Sequence, residues 1–178
     1  PGGTIIHTGD FKIDCTPITG DMIDLARFGE LGNEGVLALM ADSTNAERPG
    51  YTVTEQKVVN SFEMFFREAE KERIIIANIG RVEQIIKCAA RHGRKVAFSG
   101  RSMINYMTIA TELGYVDIPD GVVIDIDMLN KYPKEQIVLI TTGSQGEPMS
   151  ALTKIAFGAH TKVTLSPNDY VIISATPI

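Results

Sequence analysis

Two carboxylates of this sequence follow apolar runs at points where a strand gives way to a turn. Asp10 lies in HTGD, one residue past a glycine, and Asp42 opens DSTN after the run GVLALMA. A carboxylate at the end of a strand is well placed to bind a cation. The alternative for Asp10 is an Asx turn, in which the side chain binds only its own backbone.

A glycine turn lies in the stretch IVLITTGSQGEPMSALTKIA, residues 137–156. The β-branched run 137–140 predicts a buried strand, and Met149, Leu152 and Ile155 stand at helical spacing after it. Pro148 is then expected in the first helical turn, where its missing N–H costs nothing. Such a helix N-terminus can bind phosphate through its backbone N–H groups. The alternative is an ordinary strand-to-helix loop, because glycine turns are common there.

Composition favours a soluble globular protein. The 178 residues are 44% hydrophobic and 22% charged, with a net charge of −5, which excludes a generically basic nucleic-acid binder. Between Arg81 and Arg101, however, six basic residues face one acidic residue. That segment is either a local anion site or a solvated helix face. No apolar run approaches the roughly 20 residues of a membrane span, and no signal peptide is recognisable.

The cysteines and histidines predict no metal centre by their spacing alone. Cys15 and Cys88 form neither a metal motif nor a disulfide framework, and are expected to be buried thiols in a reducing cytoplasm. His7, His92 and His160 show no two-histidine metal spacing, so each is expected to be structural.

Apolar runs alternate with helical patterns along the chain, which predicts an α/β fold with a mostly parallel sheet flanked by helices. Strands are expected at 4–7, 35–41, 73–77, 95–98, 122–124, 137–140 and 170–174. Thr52 and Glu55 are expected to form a capping box for the helix that carries buried Phe62, Phe65 and Phe66, and Ser102 is a candidate N-cap. The run 35–41 is expected to be buried on both faces of the sheet.

Polar segments follow four of these strands. They read DSTN, SGRS, TTGSQGE and SATP. Because the carboxyl ends of parallel strands meet at one edge, we expect the four loops to form a single anion-binding crevice. The chain begins directly in one strand and stops after another, so we expect a piece of a longer protein.

Five motifs in order, HTGDFKID, ADSTNAERPG, GRKVAFSGRSM, TTGSQGEPMSAL and SATPI, resemble those of the ribonuclease J family. That family belongs to the β-CASP branch of the metallo-β-lactamase superfamily, and the resemblance runs over the whole chain. It implies that residues 1–34 end a metallo-β-lactamase domain and connect it to a β-CASP domain at 35–178, with an incomplete metal site.

The resemblance also implies roles for individual residues. Asp10 matches the family's metal-bridging aspartate, and Asp42 matches the acidic residue of the first β-CASP motif, which supports the metal site in catalysis. The residues that match the RNA or phosphate path are Ser43, Thr44, Gly143, Ser144, Gln145, Gly146 and Glu147.

The function implied is metal-dependent hydrolysis of RNA, endonucleolytic and 5′-to-3′ exonucleolytic, with two zinc-class divalent ions in the longer enzyme. The family's HxHxDH motif and its later histidine motifs are absent. We therefore expect this chain alone to bind no ions stably and to be inactive. RNA is the expected partner, in the cytoplasm and away from membranes, with homo-oligomerisation through regions not present here. The alternative is a non-catalytic α/β module that binds nucleotide or sugar phosphate.

Overall fold

The computed structural model of the chain describes residues 2–18, 20–44, 46–78 and 81–174. Their strands are β1 (Thr4–His7), β2 (Val36–Met40), β3 (Ile74–Ala77), β4 (Lys95–Ser99), β5 (Ile137–Thr141) and β6 (Tyr170–Ile173). Their α-helices are α1 (Leu25–Glu34), α2 (Glu55–Glu68), α3 (Val82–Arg91), α4 (Arg101–Glu112) and α5 (Ala151–Ala156). Two 3-10 helices span Ile126–Lys131 and Lys134–Gln136. The predicted α/β class is confirmed.

The chain divides into two compact units, Pro1–Asn60 and Ser61–Ile178, and the division falls within α2. In the first unit β1 pairs with β2 in parallel as a two-stranded sheet, with His7 opposite Met40. The assignment of 1–34 and 35–178 to two domains stays a prediction.

The second unit is built on a parallel four-stranded sheet with the order β4-β5-β3-β6. Its register places Ser99 and Ala77 on either side of Thr141, and Ile173 beyond Ala77. One row of residues thus closes the carboxyl ends of all four strands. The isolated bridge between Val96 and Val123 replaces the short strand expected at 122–124.

The core of this unit lies on both faces of the sheet. Side chains alternate between the faces of a strand, and β3 and β5 are buried along their whole lengths. This explains their continuous apolar runs. One core cluster comprises Ile75, Ala97, Leu129, Ile137, Leu139, Ile155 and Val163. Phe62 and Phe66 of α2 are 2% and 1% exposed, which confirms the core role predicted for them, whereas Phe65 is only half-buried.

The expectation that four polar loops close one sheet edge is wrong in part. SGRS and TTGSQGE do follow neighbouring strands, β4 and β5. DSTN instead follows β2, which pairs with β1 in the other sheet. In the SATP segment, the backbone N–H of Ser174 donates to the Ala77 carbonyl at 3.2 Å, beside the carboxyl ends of β3 and β6. Residues 175–177 of this segment lie outside the described residues.

The expectation that the run 35–41 is buried on both faces is also wrong for this chain. Leu37, Leu39 and Met40 are 68%, 61% and 55% exposed. Sequence pattern identified the strand but not its surroundings, because burial depends on which elements pack against it.

Two predicted helix caps are wrong. The backbone N–H of Lys57 donates to the Thr54 hydroxyl, whereas that of Glu55 donates to the Asp14 carboxylate at 2.9 Å. Asp14, a sequentially distant residue, thus takes part of the capping role assigned to Thr52. Helix α4 begins at Arg101 with Gly100 as its N-cap, so Ser102 is already helical. Among the described residues, none of the helices combines the length and apolar character that crossing a membrane requires.

A buried ion pair ties the start of β3 to the loop before β6. Arg73 Nε donates to Asp169 Oδ1 at 2.9 Å, and the guanidinium also reaches Asp169 Oδ2 and the Thr164 carbonyl. The two side chains are 9% and 1% exposed. Removing either partner alone would leave a charge without its counterion in a buried place.

We predict that Asp169→Ala lowers the free energy of unfolding by about 3–5 kcal/mol, because it strands the Arg73 charge. Asp127→Ala is the control, since its ion pair with Lys162 is exposed and is expected to contribute about 0–1 kcal/mol. Urea denaturation of both variants measures the difference. Equal losses in the two variants would contradict the role assigned to the buried pair.

Candidate functional site

The ends of β1 and β2 lie side by side in the first unit, and Thr8 joins them. The Thr8 backbone N–H donates to the Met40 carbonyl at 3.0 Å, and the Asp42 backbone N–H donates to the Thr8 hydroxyl at 3.1 Å. Parallel pairing of these strands therefore brings the HTGD and DST motifs to one sheet edge, as a shared site requires.

Asp42 is held in an Asx turn. Its Oδ1 accepts hydrogen bonds from the Thr44 backbone N–H at 3.0 Å and the Thr44 hydroxyl at 2.7 Å. These bonds, the backbone one foremost, lower the pKa of Asp42 below its ordinary value. The carboxylate is thus ionised at neutral pH. The Thr44 hydroxyl donates its proton to Asp42, and both Ser43 and Thr44 are exposed.

Asp10 is exposed at the end of the HTGD turn. Gly9 before it has φ +59°, and its N–H donates to Nδ1 of His7 at 3.0 Å. Within the described residues, the one group of three close metal-ligating side chains does not include Asp10. The metal-ligand role of Asp10 stays a prediction.

The ends of β4 and β5 form a second polar edge, in the second unit. Ser99 and Thr141 are partners in the sheet and are 1% and 0% exposed. Gly100 packs so closely on the next loop that a Cβ there would lie 3.0 Å from Thr142 Oγ1. The SGRS and TTGSQGE segments therefore contact each other directly, and Arg101 lies exposed beside them.

The loop from Gly143 to Glu147 is closed by its own hydrogen bonds. The Gly146 N–H donates to the Gly143 carbonyl at 3.2 Å, and the Gln145 N–H donates to the Glu147 carboxylate at 3.2 Å. Ser144 is half-buried, while Gln145, Gly146 and Glu147 are exposed. The phosphate-binding role of these residues stays a prediction.

The expectation of a phosphate-binding helix N-terminus after this loop is wrong. Helix α5 begins at Ala151 with Ser150 as its N-cap, so Pro148 precedes the helix instead of lying in its first turn. The N–H groups of Ala151 and Leu152 donate to the hydroxyl and carbonyl of Thr142, and that of Thr153 donates to Ser150. The helix N-terminus is thus already occupied by the chain itself.

A hydrogen bond between Ser99 and His160 was not foreseen from the sequence. His160 Nδ1 accepts from the backbone N–H groups of Lys162 and Val163, so Nε2 carries the proton and donates to Ser99 Oγ at 2.9 Å. Burial, followed by the charges of Lys154 and Lys162, lowers the pKa of His160, which keeps the ring neutral. This bond attaches the segment after α5 to the end of β4, and no motif links residues so far apart.

The comparisons with known proteins agree on one family. The model of the ribonuclease J β-CASP domain matches residues 71–178. The chain belongs to the ribonuclease J family. It is 43% identical over 181 residues to ribonuclease J of Thermus thermophilus, covering 100% of this chain and 31% of the relative.

Two further relatives give the same result. Ribonuclease J2 of Bacillus subtilis is 42% identical over 99% of this chain and 32% of its own length. Ribonuclease J 1 of Streptococcus pyogenes is 47% identical over 100% of this chain and 32% of its own length. The chain thus spans about a third of the length of these ribonuclease J relatives. The matched β-CASP region lies inside the predicted 35–178.

We predict different effects for two glycine substitutions in the loop. A Cβ on Gly143 would lie 2.6 Å from the Ser150 Cβ, at φ +108°, whereas Gly146 has φ +75° and open space. Gly143→Ala should therefore cost about 3 kcal/mol or more of unfolding free energy, and Gly146→Ala about 1–2 kcal/mol from backbone strain alone. Urea denaturation measures both, and an equal cost would contradict the close packing of Gly143 on Ser150.

Proposed function

We propose that this chain functions as part of a metal-dependent ribonuclease that hydrolyses RNA phosphodiester bonds, both endonucleolytically and from 5′ to 3′. The observation that carries the proposal is the 42–47% identity to ribonuclease J proteins over 99–100% of the chain. The polar edges at the ends of β1–β2 and β4–β5 support it, since open α/β sheets bind ligands there.

RNA is the proposed partner of the loop Gly143–Glu147 and of Ser43 and Thr44. Ser43, Thr44, Ser144 and Gln145 carry hydroxyl and amide groups after strand ends, and Arg101 adds an exposed positive charge beside the loop. Contacts of this kind to the phosphate backbone position a nucleic acid without reading its sequence. We therefore propose that the loop Gly143–Glu147, together with Ser43 and Thr44, contacts the RNA backbone and leaves sequence preference to other features.

Asp10 and Asp42 are proposed to serve a centre of two zinc-class ions in the longer polypeptide. Asp10 would be a metal ligand, and the ionised Asp42 would support the site from the neighbouring strand. Such ions, when bound, supply a water nucleophile of lowered pKa and stabilise charge on the phosphate. The chain's own contribution is to hold the two carboxylates on paired strands through Thr8. Homo-oligomerisation and cytoplasmic location stay predictions.

We predict that the purified 178-residue chain does not cleave RNA with zinc, manganese or magnesium. A catalytic zinc site uses about three protein ligands per ion, and Asp10 alone matches one here. Gel analysis of labelled RNA, with a full-length relative as the positive control, measures cleavage. Metal-dependent cleavage by this chain that a chelator abolishes and that survives stringent purification would contradict the prediction.

For the longer enzyme, we predict that Asp10→Asn lowers metal occupancy and reduces turnover by about 100-fold or more. The amide keeps the shape of the side chain but removes the charge that the ions need. Metal analysis, RNA cleavage and thermal unfolding are measured on the same preparation. Normal metal content with a near-wild-type rate would leave Asp10 as a turn residue only.

Ser144→Ala tests whether the loop contacts RNA. If its hydroxyl binds a phosphate, the affinity of a catalytically inactive longer enzyme for single-stranded RNA should fall by about 1 kcal/mol, the value of one net hydrogen bond. The loss should be similar for different RNA sequences. Ser166→Ala is the matched control. Ser166 lies before β6, toward the amino ends of the strands, and its hydroxyl accepts a hydrogen bond from Lys134 Nζ at 2.6 Å.

Two results would contradict an RNA contact of Ser144. One is an affinity unchanged by Ser144→Ala, and the other is an equal loss in Ser166→Ala. Thermal unfolding of both variants separates a lost contact from a weakened fold.

A further inference from the structure

Three side chains that can ligate metal meet between α2 and α3, in the second unit and on residues outside the proposed RNA site. Glu63 comes from α2, and Cys88 and His92 come from α3 and its C-cap, one helical turn apart. One ligand atom of each lies within 4.8 Å of the other two. Neither cysteine nor histidine spacing predicted this group, because Glu63 arrives from another helix.

The contacts within the group are close and partly shielded from water. His92 Nε2 lies 2.9 Å from Glu63 Oε2, and the His92 ring packs against Phe66 with centroids 5.4 Å apart. Cys88 is 0% exposed, while the side chains of His92 and Glu63 are 23% and 24% exposed. The group therefore has a closed side at the thiol and an open side toward solvent.

Arg91 binds one oxygen of the Glu63 carboxylate and leaves the other oxygen available. Its Nε donates to Glu63 Oε1 at 2.8 Å, and its terminal nitrogen contacts the same oxygen. The bond to His92 falls on the other oxygen, Oε2. An ion bound by Oε2 could thus keep the Arg91 contact as outer-shell support for the ligand.

We propose that Glu63, Cys88 and His92 form a binding site for a zinc-class divalent ion that joins α2 to α3. Thiolate and imidazole together select such ions over magnesium or calcium. Three protein ligands leave the fourth tetrahedral position to water, on the open side. Ligand atoms of a tetrahedral zinc site with one sulfur lie about 3.3–3.6 Å apart, given its bond lengths. The His92 and Glu63 atoms, now 2.9 Å apart, would therefore separate slightly, and pairs as far apart as 4.8 Å would close by about 1–1.5 Å.

Binding changes the protonation of two ligands. The thiol proton of Cys88 is replaced by a sulfur–metal bond and released to solvent, and the Nε2 proton that His92 donates to Glu63 moves to Nδ1, so that Nε2 can bind the ion. The thiolate and the Glu63 carboxylate then supply two negative charges beside the ion, while Arg91 keeps its positive charge on the other carboxylate oxygen.

Cobalt(II) tests the proposal, because a cobalt–thiolate bond gives a near-ultraviolet charge-transfer band that oxygen and nitrogen ligands do not give. The chain has two cysteines, so Cys15→Ser leaves Cys88 as the single thiol. Cobalt is added to this variant at mildly basic pH after treatment with a chelator. We expect a band that saturates at one equivalent and disappears when zinc is added.

The ligand variants are made in the same Cys15→Ser background. Cys88→Ser should abolish the band, and Glu63→Gln and His92→Gln should weaken cobalt binding by at least about 10-fold. Glu83→Gln is the control, because it removes a carboxylate of α3 that pairs with Lys87 instead. It should leave the affinity unchanged.

Two outcomes would overturn the proposal. The first is the absence of a charge-transfer band when excess cobalt is added to the single-thiol variant. This result does not depend on the folding of any other variant. The second is equal weakening by Glu83→Gln and Glu63→Gln. Either result would leave the three residues as a hydrogen-bonded contact between helices. Circular dichroism confirms that each variant used in the comparison is folded.

Discussion

Parallel pairing of β5 with both β3 and β4 is the constraint on which the second unit depends. Strand β5 contributes buried apolar residues to both faces of the sheet, so other elements must cover both faces. A slip by one residue would exchange the side chains that pack on the two faces and disrupt the packing of both. The register therefore fixes the row in which Ser99, Thr141 and Ala77 end their strands, and the polar loops start from that row.

Thr142 holds the loop between β5 and α5 in place. Its hydroxyl and carbonyl accept the first N–H groups of α5, while its side chain packs against Gly100. Backbone groups that would otherwise need a ligand or water are satisfied inside the chain. The side chains of Ser144 and Gln145 contribute to the surface at this edge.

The ion pairs and hydrogen bonds at the border of the core differ in burial, and therefore in how they affect stability. The Arg73–Asp169 pair is enclosed and holds the start of β3 to the segment before β6. In the group around Glu63, burial raises the pKa of the carboxyl, but hydrogen bonds from His92 and Arg91 outweigh it and lower this pKa to about 2. The stabilisation that corresponds to this lowered pKa is complete at pH values above the ordinary pKa of glutamate, and it is lost as the pH falls toward 2. Both ties join segments that are distant in sequence.

Sequence alone determined the class of fold, six of the seven expected strands and the family. Runs such as 137–140 and 170–174 differ from the observed strands by a single residue, because apolar β-branched residues define a strand locally. Aromatic positions of α2 could likewise be assigned to the core, since helical periodicity shows which residues share a face. The five ordered motifs indicated ribonuclease J, to which the matched β-CASP region belongs.

Only the tertiary structure decided which distant residues meet. The separation of β2 from the four-stranded sheet, the bond from His160 to Ser99 and the approach of Glu63 to Cys88 all join separate segments. Local pattern carries no information on such pairs. The predicted capping box failed for the same reason, because the distant Asp14 accepts the N–H group of Glu55. Thr142 likewise accepts an N–H group of α5 that was expected to be open to phosphate. Hydrogen bonds form with whichever partner packing brings close, and packing is a property of the whole chain.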